Sequence, residues 1–297
     1  MTNIGENAIA ATNSRRIAAF FDIDGTLLAG PSLERHLFAN LKYRRAIPAR
    51  NYFLWLAHSF RLTPRGMQTI LHANKMYLRD VPALSSTGTL ACANVSTVEP
   101  ESVSPLHCLS FLPAALDQAA WHAAANHAII LVSGTLTPLA HQVALALTLR
   151  LVARNFLAQV GVCATNLEVI KQRWTGRILG DAMFGQAKAR AIHHIAAAQN
   201  FDLRRCYAYG DSLNDRWMLA AVGRPAAVNP SKKLERVARL NDWPVLRWTL
   251  SSPAQHAGSS QHPVNEATEP FTSHYGSVAS ACTESRATGR VVREPRV

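Results

Sequence analysis

The chain has 297 residues, 48% of them hydrophobic, with a mean hydropathy near zero, which points to a globular protein with ample core over most of its length. A formal charge of +12 points toward acidic partners such as phosphate esters, nucleic acid or anionic lipid headgroups, or else only to a basic compositional background. Five scattered cysteines (Cys92, Cys108, Cys163, Cys206, Cys282) without a C-x-x-C pair argue against a disulfide framework or a zinc site, and fit a cytoplasmic protein; neither a secretory signal nor an apolar run of about 18 residues is evident.

Residues 1–16 are small and polar and read as a loose leader. Residues 17–21 form a short apolar run, expected to be a buried strand that delivers Asp22 and Asp24 onto a tight turn at Gly25. Two carboxylates held this close suit a hard cation such as Mg²⁺ and can divide nucleophilic and acid–base roles; the same Asp-x-Asp-Gly also suits a plain surface turn. Thr26 adds a hydroxyl expected to tie that turn to its neighbours.

From 32 to about 83 the pattern is helical, with Leu33, Leu37, Phe38 and Leu41 at helical spacing, then an aromatic run over 52–56 and a third apolar stretch over 67–78. Between Glu34 and Asp80 lie nine cations: Arg35, Lys42, Arg44, Arg45, Arg50, Arg61, Arg65, Lys75 and Arg79. These helices read as a cap inserted over the site, spanning 32–110 with an irregular end from 84 onward. A helix is expected over 113–125 and a second buried strand over 128–132, ending in Ser133-Gly134-Thr135. A third strand is expected over 161–164, followed by a turn-rich segment over 173–177. A helix over 185–198 carries Lys188, and a strand over 206–209 leads into Gly210-Asp211-Ser212-Leu213-Asn214-Asp215. Helices over 215–222 and 231–240, with a strand over 226–228 between them, complete a core made of 17–31 and 111–250. Residues 251–297 lack periodicity and read as a disordered tail. Strand–helix alternation of this kind implies an α/β fold, a Rossmann-like doubly wound parallel sheet with helices on both faces.

Polar sequence suited to phosphate follows three of these strands: Asp22-x-Asp24, Ser133-Gly134 and Gly210-Asp211-x-x-Asn214-Asp215. In open α/β sheets ligands bind beyond the carboxyl ends of the strands. Taken singly, each feature has a plainer reading: Ser133-Gly134 as a helix cap, Lys188 as a solvated lysine, Asp215 as a favourable helix start. Histidines 107, 122, 127, 141, 193 and 194 show no ligand spacing and read as structural or solvent-facing.

In their order and setting these elements resemble the haloacid dehalogenase superfamily, and within it the phosphoserine-phosphatase-like subfamily IB. The resemblance rests on Asp22-Ile23-Asp24-Gly25-Thr26, Leu131-Val132-Ser133-Gly134, Lys188 and Gly210-Asp211-Ser212-Leu213-Asn214-Asp215, with auxiliary matches over 175–178 and 221–230. It implies a Mg²⁺-dependent phosphatase in which Asp22 attacks phosphorus and Asp24 is general acid and base. Mg²⁺ would be held by Asp22, the carbonyl of Asp24, and Asp211, with Asp215 close by. Ser133, the Gly134 amide and Lys188 would bind the phosphoryl oxygens, and Asn214 would contact phosphate or water. Phosphoserine phosphatases place a glutamate shortly after the first motif to meet the substrate amine. That position here is Pro31, with Glu34 nearby, so a larger or more acidic phosphomonoester is expected, including a lysophospholipid or sugar phosphate. A phosphotransferase or mutase on the same scaffold, and a basic non-catalytic anion-binding protein, are the alternatives. No base-reading helix is evident, so no specific nucleic-acid partner is expected; a peripheral contact with anionic lipid fits the charge.

Overall fold

The first strand, β1 (Ala18–Phe21), is buried on both sides because all four of its side chains are apolar. Strand alternation sends Ala18 and Phe20 into one core and Ala19 and Phe21 into the other. The computed structural model describes residues 16–84 and 109–250. The leader over 1–16, the irregular segment over 84–110 and the tail over 251–297 fall outside them, apart from residues 16, 84, 109 and 110.

Three helices follow β1: α1 (Leu33–Tyr43), α2 (Arg50–Leu62) and α3 (Met67–Ala73). Then come α4 (Pro113–Ala124), β2 (Ala128–Leu136) and α5 (Thr137–Val152), followed by the hairpin β3 (Val160–Ile170) and β4 (Arg173–Leu179). The chain continues through α6 (Gln186–Gln199), β5 (Tyr207–Gly210), α7 (Arg216–Ala220), β6 (Arg224–Val228), α8 (Lys232–Leu240) and β7 (Val245–Leu246). The seven strands lie in the order β4-β3-β2-β1-β5-β6-β7, and only β4 is antiparallel to its neighbour. This is a Rossmann-like α/β fold. One face of the sheet packs against α4 and α5, the other against α6, α7 and α8.

Strand order reverses at β1, which has β2 on one side and β5 on the other. The register pairs Phe21 with Leu131 of β2 and with Tyr209 of β5. The residues just past these three, Asp22, Ser133 and Asp211 among them, therefore share one edge of the sheet at its topological switch point.

Several local expectations change. Ser133 and Gly134 lie inside β2, with a register shift between Ser133 and Leu136, so they do not cap a helix; α5 starts at Thr137 without a side-chain cap. Residues 173–177 are not a turn but β4. The turn falls one step earlier, at Lys171 and Gln172, whose φ angles of 49° and 60° suit a tight hairpin despite the absence of glycine. β7 was not foreseen, since a two-residue strand leaves no periodic signal.

β4 also holds the inserted helices in place. Asp80 N donates to Trp174 O at 2.7 Å, Trp174 N to Val81 O at 2.9 Å, and Ala83 N to Gln172 O at 2.9 Å. Trp174, only 2% exposed, packs with Leu41, Ile47, Leu78 and Val81 from the inserted segment and with Leu136 and Leu139 from the core. Truncating an indole in such a position leaves a cavity that the backbone ladder around it cannot close. Trp174→Ala is expected to cost about 3–5 kcal/mol of stability, read as a shift in urea midpoint, whereas Trp121→Ala at a half-exposed site costs clearly less.

Candidate active site

The turn after β1 is built so that two acids diverge. Asp22 stays at the sheet, its N–H donating to Tyr209 O at 2.9 Å, and it is buried. Asp24 turns toward the inserted helices, where its Oδ1 accepts from Leu33 N at 2.9 Å, one of the free amides at the start of α1. Gly25 has φ +84°, and a Cβ there would lie 2.3 Å from Asp211 Oδ2, so only glycine lets the loop after β1 approach the loop after β5. Thr26 is buried, but its hydroxyl has no hydrogen-bond partner among the described residues; the expectation that it ties the turn does not hold there.

Lys188, near the start of α6, is 4% exposed, so the reading of it as a solvated lysine fails. Its Nζ lies 2.6 Å from Asp22 Oδ1 and 2.5 Å from Asp215 Oδ1. Asp215 divides its two oxygens: Oδ1 meets the lysine, while Oδ2 accepts from Ser212 N at 3.0 Å and Ser212 Oγ at 2.6 Å. Its structural and ionic roles therefore coexist. Gly210 makes room for this arrangement, since a Cβ there would fall 2.6 Å from Asp215 Cβ. Asp22, Asp211 and Asp215 offer carboxylate oxygens that all lie within 4.8 Å of one another. Asp24's side chain stands outside that group.

Burial pushes the Asp22 carboxyl up to about 7, with Lys188 opposing and Asp215 adding to the rise. Burial likewise raises Asp211 to about 8, reinforced by the charges of Asp22 and Asp215. Asp24 is raised by burial too, partly offset by its bond from Leu33 N–H. For Lys188, burial works against the ammonium, but Asp215 and Asp22 outweigh it and hold the charge. Three carboxyl groups thus face one ammonium in a buried corner, a formal excess of two negative charges. That donor set, all hard oxygens and short of positive charge, fits a divalent cation.

Ser133 is 2% exposed, and its Oγ accepts from Thr135 N at 3.3 Å. A Cβ on Gly134 would come within 3.3 Å of Met183 O and 3.7 Å of His72 Nδ1. Asn214 lies in the short 3₁₀ turn Leu213–Asp215, facing a cavity bordered by α6 and the inserted helices. The contacts bring Asp22, Lys188, Asp211 and Asp215 together directly; Ser133 and Gly134 stand at the neighbouring strand end, and Asp24 and Asn214 flank the group.

Two groups at the site were missed from sequence. Ser212 fixes Asp215, and its Ser-x-x-Asp spacing is a capping-box signature that was open to detection. His72 of α3 reaches the Gly134 corner, stacks on Phe184 at 4.9 Å, and has its imidazole pK lowered by burial and by Lys75. No local pattern marks it, because its position depends on how α3 packs. Glu34, beside the Asp24–Leu33 contact, is held by buried Lys75 at 2.5 and 2.6 Å and by Tyr77 Oη at 2.6 Å. Away from this corner, His122 Nε2 lies 2.9 Å from Tyr209 Oη and His122 Nδ1 lies 2.9 Å from His127 Nδ1, a structural pairing as expected.

A family model described as haloacid dehalogenase-like hydrolase matches residues 19–220. A phosphoserine phosphatase of Mycobacterium tuberculosis is 26% identical over 249 residues, covering 81% of this chain and 74% of that protein. A phosphoserine phosphatase of Idiomarina loihiensis is 35% identical over 124 residues, 42% of this chain and 49% of that one. Among solved structures, a protein of unknown function from Bordetella pertussis superposes with a TM-score of 0.52 at 26% identity, covering 80% of this chain and 100% of that one. With the match spanning both aspartates of the first loop, the buried lysine and the Asp211–Asp215 loop, the chain belongs to the haloacid dehalogenase-like hydrolases and is an enzyme of that family.

Proposed function

We propose that this chain is a Mg²⁺-dependent phosphatase acting on a small phosphomonoester through a phosphorylated Asp22. The observation that carries the reading is the buried contact of Lys188 with Asp22 and Asp215 at 2.6 and 2.5 Å, with Asp211 alongside. A lone buried carboxylate is a poor nucleophile because burial favours its protonated form; the adjacent ammonium favours the ionised form that attack requires.

In this reading Asp22 Oδ attacks phosphorus in line, forming an O–P bond as the ester P–O bond breaks. Asp24 gives its proton to the departing alkoxide, a task suited to an acid whose pK is raised by burial. It then takes a proton from water, which attacks phosphorus, breaks the Asp22 O–P bond and releases phosphate. Leu33 N–H orients Asp24 for both transfers. Lys188, Ser133 and the Gly134 amide would receive the equatorial phosphoryl oxygens, and Asn214 a further phosphate oxygen or water. Asp22, Asp211, Asp215 and the carbonyl of Asp24 would hold Mg²⁺, which when bound supplies the charge that lets an anionic nucleophile approach an anionic ester. The alcohol side of the substrate meets Glu34, whose charge is already matched by Lys75. This favours a substrate without a free ammonium over phosphoserine.

Asp22→Asn is expected to lower Mg²⁺-dependent release of p-nitrophenol from p-nitrophenyl phosphate by about 10³-fold or more while circular dichroism stays native. Full turnover by that variant would sink the reading. A second prediction concerns pH. The unfolded carboxyls sit near 3.8; folded, without a cation, Asp22 and Asp211 sit at about 7 and about 8. Over that interval the folded chain holds protons that the unfolded chain has released. Their contribution to stability is therefore full below the unfolded value and is lost as pH rises to about 8. A cation replaces those protons, so adding Mg²⁺ should raise the melting temperature more at about pH 8.5 than at about pH 5.5. Equal shifts at both pH values, measured by differential scanning fluorimetry, would count against a carboxylate-held cation.

A further inference from the structure

Beside the reacting corner lies a cavity of about 1280 Å³ between the inserted helices and the core. It shares the 212–214 segment with the site, including Ser212, which holds Asp215, and its wall includes Gln186 and Ala187, the two residues before Lys188. α3 borders both spaces: Thr69 and Ala73 line the cavity, while His72 on the same helix reaches the Gly134 corner. Pockets of about 300–1000 Å³ already enclose drug-sized ligands, so the space exceeds what a three-carbon phosphate ester fills.

The charge on its wall is one-sided. Arg61, Arg65, Arg177, Arg190, Arg216 and Lys233 line it, against one carboxylate, Asp181. That acid lies 2.6 Å from Arg190 and is thereby matched. Arg216 stands over the Trp217 ring and donates to Leu213 O. Among the described residues, Arg61, Arg65, Arg177 and Lys233 make no ion pair. The six cations come from α2, the turn after it, β4, α6, α7 and α8, so their convergence reflects the tertiary fold and not one basic run of sequence. Like charges gathered on a concave wall repel one another, and an anion of matching multiplicity relieves that repulsion.

We propose that this cavity receives a second phosphoryl group of the substrate, so that organic phosphates bearing two or more phosphates are preferred over their monophosphates. The inference rests on the phosphatase reading and narrows it. One phosphate reacts at Asp22 while the other is held by the arginines of the wall; Phe184 and Trp217 offer apolar surface to the organic frame between them. Arginine suits the task because its planar fork binds phosphate oxygens in pairs and stays charged at any working pH.

The test compares matched pairs: fructose 1,6-bisphosphate with fructose 6-phosphate, 2,3-bisphosphoglycerate with 3-phosphoglycerate, and adenosine 3′,5′-bisphosphate with AMP. In at least one pair the doubly phosphorylated member should show kcat/KM about tenfold higher, and Arg61→Gln/Arg177→Gln should shrink that preference several-fold. Calorimetry on full-length Asp22→Asn should show the same order of affinities, with inorganic phosphate competing. If p-nitrophenyl phosphate is hydrolysed in an Asp22-dependent way but no pair shows a preference, the cavity inference fails and the phosphatase reading stands. If nothing is hydrolysed the phosphatase reading fails, and equal affinities within every pair then overturn the cavity inference independently. Bisphosphate affinity left unchanged by Arg61→Gln/Arg177→Gln also overturns it, since the wall would then hold no phosphate.

Discussion

Everything at the site depends on one buried ammonium that has too many carboxylates around it. Lys188 lies against Asp22 and Asp215, and Asp211 shares the same corner without a lysine of its own. A single buried ion pair would be close to neutral in net stability, because desolvation offsets attraction. Here burial raises the pK of both Asp22 and Asp211, and the neighbouring carboxylates add to the rise, so the corner favours protons. Such an arrangement is costly to a protein that has no use for it. It is what a centre accepting a cation and a phosphoryl group requires: charge set in advance, aimed inward, and kept from water.

The scaffold meets that cost through backbone geometry. β1 supplies Asp22 from a strand that is buried on both faces, and β5 supplies Asp211 from the adjacent strand end. Glycines at 25 and 210 are the points at which the loops could not close with any larger residue. Asp215 is anchored by Ser212 through Oδ2, so the carboxylate that offers Oδ1 to Lys188 is not free to rotate away. Asp24, by contrast, is tied to the first amide of α1, which links it to the inserted helices and leaves Asp22 with the sheet.

The inserted helices are joined to the core by more than the covalent chain. Backbone bonds from residues 80–83 to the β3–β4 hairpin, and the burial of Trp174, make the hairpin a clasp on the inserted segment. Within the insert, Lys75 and Tyr77 converge on Glu34, and Asn51 donates to Tyr77 O and Arg79 O, so the insert is ordered internally by buried polar contacts. Two of its arginines, Arg61 and Arg65, line the wall of the cavity. The basic character of the whole chain thus has a local counterpart where an anionic ligand would lie.

Much of this was legible in the residues alone. The apolar runs at β1 and β2, followed at once by Asp22-x-Asp24 and Ser133-Gly134, announced both the parallel sheet and the edge where its site lies, because strand burial and turn chemistry are local properties. Asp211 and Asp215 were legible for the same reason. What folding in three dimensions decided was the partnership: that Lys188 is buried and not solvated, that 173–177 is a clasp and not a turn, that His72 comes to the Gly134 corner, and that five arginines and a lysine from six separate elements face one cavity. Periodicity reports which side of a strand or helix is apolar, but it carries no term for charges brought together from positions 27 to more than 160 residues apart.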